Sequence, residues 1–134
     1  MIRVVFGGKG FDTFTPKEFT DSYVKFAIVP AGVEVAGLAQ PLTLDSFEEL
    51  PADQRPTVRT YTVRSVDTEQ RELTVDFVVH GDTGVAGPWA ASLAPGDPAY
   101  LMGPNGAYSP NPAADWHLLA GDEAGPPALS TALK

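Results

Sequence analysis

Residues 59–64 read Arg-Thr-Tyr-Thr-Val-Arg. They place guanidinium groups, a phenol ring and hydroxyls in a stretch with a single aliphatic side chain. A strand that only has to pack alternates apolar with polar residues, whereas this one alternates polar with polar. Written as a strand, Arg59, Tyr61 and Val63 share one face and Thr60, Thr62 and Arg64 share the other. Arg59 and Tyr61 then point the same way. A guanidinium beside a phenol ring can grip a phosphate through charge-assisted hydrogen bonds while the ring covers an aromatic ligand. The same residue types also suit a plain surface strand with cross-strand charge pairs to Glu72 or Asp76.

A second stretch bears on that choice. Asp76 to Gly81 reads as the end of a strand, and Gly84 to Ala90 leads through small residues into a helix. Small residues before a helix leave backbone N–H groups open to an anion, and the helix dipole favours negative charge there. An ordinary turn with a proline start is the plainer reading. Taken together, an Arg-Tyr strand and a helix start with bare amides describe a dinucleotide site. Gly7-Gly8-Lys9-Gly10 lacks the spacing of a phosphate loop, and no Ser or Thr follows its lysine, so it reads as a turn. The absence of cysteine excludes disulfides, thiolate metal sites and thiol catalysis, and fits a cytoplasmic protein. His80 and His117 lie too far apart in sequence to suggest a metal site. His80 reads as a ligand-lining or structural residue before a catalytic base.

The elements that must position these residues follow from the rest of the chain. Its 134 residues make about one domain, and its net charge of −8 argues against a nucleic-acid partner. No apolar run reaches the roughly 18 residues of a membrane span, and the opening Met1–Phe6 does not read as a secretory signal. The 13 glycines and 13 prolines are spread between short apolar runs, which predicts many turns between short strands. Strands are predicted at 2–6, 23–29, 57–66, 72–80 and 99–102, with Val24, Phe26 and Ile28 on a core face. The segment 57–80 forms a hairpin. Residues 31–56 are irregular and hold a mobile loop, with one helical turn at Asp45–Leu50. A short helix runs from Gly87 to Leu93, with Pro88 at its first position. Trp89 is assigned to core packing rather than to stacking on a ligand. A small antiparallel barrel is the economical arrangement, because closure removes sheet edges. One helix is expected between its fifth and sixth strands. Near Asn111–Ala114 the composition changes as in a linker. Asp115–Ala120 then reads as a buried strand with Trp116 at its start, and Pro127–Lys134 as the opening of a helix. This is how a doubly wound nucleotide-binding domain begins, and the chain reads as a fragment that stops inside it.

RPTVRTYTVR, DFVVHG, GVAGPWA, PGD, GPNG and ADWHLLAGDE, in that order, resemble the siderophore-interacting proteins, flavin-dependent ferric-siderophore reductases of the ferredoxin-reductase superfamily. The resemblance covers the chain nearly end to end. It implies a mainly β fold, a six-stranded antiparallel Greek-key flavin-binding barrel over residues 1–112. Residues 113–134 would be the start of a truncated NAD(P)H-binding α/β domain. Carried over, Arg59 would bind FAD phosphate and Tyr61 would lie against the ring or ribityl chain. Thr62 would bond near the reactive edge of the flavin, with Thr60 beside it. His80 and Gly81 would line the cofactor. Ala86, Gly87, Trp89 and Ala90 would form the pyrophosphate loop and helix start, and Asp122 and Glu123 would contact the cofactor from the C-terminal side. The family shows Gly-Asp-Glu-Thr where this chain has Gly121-Asp122-Glu123-Ala124, so a hydroxyl contact at position 124 is lost. The implied reaction passes electrons from NAD(P)H through FAD to a ferric siderophore, with no catalytic side chain and no protein-bound metal. The implied protein is a cytoplasmic monomer, and this chain alone is expected to bind FAD weakly or not at all compared with the intact protein and to be inactive toward NAD(P)H.

Overall fold

The computed structural model describes every residue from Met1 to Lys134. Its strands are β1 (Ile2–Phe6), β2 (Tyr23–Ile28), β3 (Thr57–Asp67), β4 (Glu72–Phe77) and β5 (Tyr100–Asn105), and its helices are α1 (Ala86–Ser92) and α2 (Pro126–Ala132). Short 3-10 turns occupy Lys9–Thr13, Asp45–Glu49 and Ala52–Gln54. The strands form one antiparallel sheet in the order β1-β4-β3-β2-β5. No helix is long and apolar enough to cross a membrane.

The core follows from the alternation. Val24, Phe26 and Ile28 of β2 meet Leu73, Val75 and Phe77 of β4 in one buried cluster with Val63, Ala86 and Ala90. Fully burying side chains of this size stabilises by about 1.5–3 kcal/mol each. Trp89 packs there as expected, with its ring 5.6 Å from Phe26 and 5.7 Å from Phe77, and stacked on Phe6 at 6.4 Å. The opposite face of β2 is covered too. Val35 and Phe47, from the irregular segment 31–56, are buried against Ala27.

Strand β3 is the corner of the fold. Thr57–Thr62 pair with β2, and Val63–Asp67 pair with β4. The change of partner coincides with a register shift between Val63 and Ser65. Such a bulge adds a residue and moves the alternation by one position, so Tyr61, Val63 and Val66 all join the core side. Strand β5 also carries a shift, because Tyr23 faces Asn105 while Lys25 faces Met102. Gly103, at φ +117, takes that irregularity with a Cβ position only 3.2 Å from the Tyr23 carbonyl oxygen, a place and a conformation open to glycine.

Several expectations are corrected. Five strands form, where six were expected. β1 and β5 are the sheet's two ends, and a cavity of about 1050 Å³ lies between them. Helix α1 lies between β4 and β5 rather than after a fifth strand. Pro88 is its third residue, not its first, which costs nothing because the first four N–H groups of a helix lack intrahelical partners anyway. β4 stops at Phe77, short of His80, because its partner β1 begins at Ile2, opposite Phe77. β5 runs on through Gly103-Pro104, and proline is tolerated on such an edge strand. The predicted strand Asp115–Ala120 does not form, and Trp116 and Leu118 are 76% and 81% exposed. A strand needs a ladder, and no neighbouring strand in this chain offers one. The predicted C-terminal helix does form, as α2, and it packs on β3.

Candidate functional site

The pairing register decides where the Arg-Tyr strand points. Arg59 sits opposite Phe26 and Tyr61 opposite Val24, so both lie on the face of the sheet that bears the core. Directly opposed residues of an antiparallel pair share a face. Thr60 faces Lys25 and Thr62 faces Tyr23, on the other side. The expected grouping of Arg59 with Tyr61 is what the structure shows, and Thr60 and Thr62 are on the opposite face from them.

Arg59 is exposed, and its one side-chain hydrogen bond is donated by Nη1 to the carbonyl of Val58 at 2.9 Å. No carboxylate pairs with it, unlike Arg3, Arg64 and Arg71. In a chain of net charge −8, this is a cation with most of its donors unused. Tyr61 is half-buried, with its ring 4.4 Å from Phe77 and 6.2 Å from Phe26. Burial raises the Tyr61 phenol above its ordinary pKa, and the charge of Arg59 pulls it the other way. The phenol is therefore neutral at physiological pH, and its hydroxyl is a donor as well as an acceptor.

Because β4 pairs with β3 only from Val63 onward, the edge of Thr57–Thr62 away from β2 has no strand beside it. A ligand approaching along that open edge can meet Arg59 and Tyr61 from one face and Thr62 from the other. Phe77, the last residue of β4, lies against Tyr61, and the loop that follows β4 starts from this contact.

That loop carries the second group of expected residues. His80 and Gly81 are exposed, with Gly81 at φ +60. The His80 carbonyl accepts the Thr83 hydroxyl at 2.7 Å. Helix α1 begins without a capping side chain. Gly87 is the closest approach between helix and strand end, because a Cβ there would stand 3.0 Å from the Val78 carbonyl oxygen and 3.3 Å from Val79 Cα. The side chains of Ala86 and Ala90 are buried and Trp89 packs on the core. Any ligand contact from Ala86 or Ala90 is therefore made by backbone.

Asp122 and Glu123 are exposed in the turn before α2. The Asp122 carboxylate accepts the Ala124 N–H at 2.9 Å, and its carbonyl accepts the Gly125 N–H at 3.0 Å.

One cluster escaped the sequence reading. Arg3 Nε lies 2.7 Å from Asp76 Oδ1 and its Nη2 lies 3.0 Å from Oδ2, a two-pronged pair. Arg64 Nε approaches Asp76 Oδ2 at 3.4 Å. The hydrogen bonds from Arg3 hold the Asp76 carboxyl below its usual pKa. Burial opposes this, and the charges of Arg3, Arg64 and the N-terminus add to it. The polar phase of β4 puts Asp76 on the outer face, and that was the available signal. Its partner among the arginines of β3 turns out to be Arg64, not Arg59.

An unneutralised guanidinium, a half-buried phenol ring and an open strand edge suit a ligand with both phosphate and a flat aromatic ring, and FAD is of that class. The description "siderophore-interacting FAD-binding domain" belongs to the family model that matches residues 1–108. An uncharacterised protein of Mycobacterium tuberculosis is 62% identical over the whole chain, which covers 47% of that relative. The ferric vibriobactin reductase ViuB of Vibrio cholerae is 32% identical over the whole chain, which covers 48% of that protein. Among solved structures, a siderophore utilization protein from T. fusca superposes with a TM-score of 0.70 at 34% identity, over 96% of this chain and 48% of the other. The chain thus spans about half the length of the relatives it matches. With 108 of its 134 residues matched by the model, it belongs to the siderophore-interacting FAD-binding domain family.

Proposed function

We propose that this chain is the FAD-binding domain of a ferric-siderophore reductase. The observation that carries the reading is Arg59, a free cation beside the half-buried ring of Tyr61 at an unpaired strand edge. Arg59 holds the phosphate, Tyr61 covers the ring or the ribityl chain, and Thr62 bonds near the reactive edge, with Thr60 beside it. His80 and Gly81 line the cofactor. Ala86, Gly87, Trp89 and Ala90 shape the pyrophosphate end, through backbone at the alanines and by packing at Trp89. Asp122 and Glu123 approach from the C-terminal turn. Residues 1–112 form the barrel unit, and 113–134 lead toward an NAD(P)H-binding domain.

Bound FAD supplies the redox chemistry, from hydride acceptance to single-electron delivery to Fe(III). Hard oxygen ligands hold Fe(III) far better than Fe(II), so reduction frees the metal from a siderophore. The protein's share is to bind and orient the cofactor. No side chain has to act as nucleophile or general acid. Two named relatives, the ferric vibriobactin reductase and a ferric acinetobactin reductase, support the substrate class.

The test is an FAD titration of the purified chain, followed by flavin fluorescence and the visible spectrum. Saturable binding, weaker than that of the chain extended to its relatives' full length and weakened further by Arg59→Ala, is the expected result. The loaded chain, reduced with dithionite and mixed with a ferric siderophore, should regain its oxidised flavin spectrum. Binding of other phosphate-bearing ligands in preference to FAD would instead make this a non-catalytic binding barrel.

A further inference from the structure

Helix α2 poses a physical problem. It has seven residues, its start lacks a side-chain cap, and of its residues only Pro127 is buried. A helix of this length is not stable by itself in water. Its main contacts are with β3. The specific bond in that contact runs from Arg64 Nη1 to Ser130 Oγ, at 2.6 Å. Ser130 in turn donates its hydroxyl to the Pro127 carbonyl at 3.0 Å. The hydroxyl is thus fixed in orientation and offers its lone pair to the guanidinium.

Arg64 is itself held. Asp76, 6% exposed, sits between Arg64 and Arg3. A single carboxylate between two guanidinium groups leaves one positive charge over, and Arg64 uses a different nitrogen for Ser130 than for Asp76. Arg64 also stands at the bulge where β3 changes partner, two positions after Thr62 and on the same face. It is the link between the end of the Arg59–Thr62 strand and the segment that begins with Asp122 and Glu123.

We infer that Arg64 is a positioning residue that ties the turn at Asp122–Glu123 and α2 to the Thr60–Thr62 face of β3, with Asp76 and Arg3 holding its guanidinium in place. The tether is a property of this chain, and its consequence for the cofactor rests on the FAD reading above. Lysine cannot replace Arg64, because one ammonium nitrogen cannot serve two separated partners with the geometry of a guanidinium fork.

The experiment is amide hydrogen exchange on the full chain as wild type, Ser130→Ala, Arg64→Met and Arg64→Lys, each also titrated with FAD. Exchange across 128–132 should speed up about tenfold in all three variants, the scale of a lost bond to a charged group. In Ser130→Ala, which leaves the Arg64–Asp76 pair intact, protection in β2 and β4 should stay as in the wild type. Alanine is the better helix former, so faster exchange in Ser130→Ala would reflect the lost tether and not propensity. FAD affinity should fall several-fold in Ser130→Ala, although Ser130 has no assigned cofactor contact. Unchanged exchange across 128–132 in Ser130→Ala overturns the tether, whatever happens to the fold of the Arg64 variants. Faster exchange with unchanged FAD affinity overturns the positioning role and leaves the FAD site standing. If the wild type binds no FAD at all, the FAD reading and the positioning role fall together, and the exchange result still decides the tether.

Discussion

The ring centroids of Tyr61 and Phe77 are 4.4 Å apart, with their planes inclined at 47°. This contact joins the half of β3 that lacks a second partner to the last residue of β4. Tyr61→Ala should cost about 2–4 kcal/mol, toward the low end of aromatic truncations because the ring is only half-buried. Tyr61→Phe should stay within about 1 kcal/mol, since it keeps the ring contacts with Phe26 and Phe77. Urea unfolding of the two variants checks the pair, and equal losses would mean that the hydroxyl and not the ring matters.

Arg59 presents the opposite case. Its only side-chain bond is to the adjacent carbonyl, so Arg59→Ala should change stability by no more than about 0.5 kcal/mol. Its FAD affinity should nevertheless drop about 10- to 100-fold, the scale of hydrogen bonds to a charged group. Isothermal titration beside a thermal melt separates the two effects. A large loss of stability with normal affinity would assign Arg59 to the fold.

Gly87→Ala tests the seam between α1 and the end of β4. The new methyl would meet the Val78 carbonyl oxygen at 3.0 Å, and backbone cannot swing aside as a side chain can. A loss of about 1–3 kcal/mol is expected, despite alanine's better helix propensity. A stabilised variant would show that helix and strand end separate freely.

The Asp76 cluster ties stability to pH at the acid end. The folded Asp76 carboxyl titrates below its ordinary value, so the unfolded chain binds the extra proton as pH falls. Its stabilising contribution is fully present above the unfolded value of about 3.9 and is lost as pH drops through the lower folded value. Asp76→Asn should therefore melt well below the wild type at pH 7, and the gap should narrow below about pH 4. Melts between pH 7 and pH 2 read this directly, and a constant gap would remove Asp76 from the acid response.

The alternation of β2 and β4 was legible because apolar residues at every second position make a face whatever the neighbours are. So was the pairing of Arg59 with Tyr61, which follows from the two-residue period alone. The core assignment of Trp89 also holds, since its ring packs on Phe6, Phe26 and Phe77. The strand at 115–120 was misread for the complementary reason. Asp-Trp-His-Leu-Leu-Ala has the composition of a strand, but a strand exists only where another backbone can pair with it.

By itself, the sequence determined which residues could hold a phosphate-bearing aromatic ligand and in what order the strands come, since side-chain chemistry and alternation are local properties. The tertiary structure alone decided three things. It left the edge of Thr57–Thr62 open by ending the β4 ladder at Val63, gave Asp76 to Arg3 and Arg64 so that Arg59 stayed free, and laid α2 on β3. Each depends on residues far apart in the chain, and such contacts are set by register and packing, which no local pattern encodes.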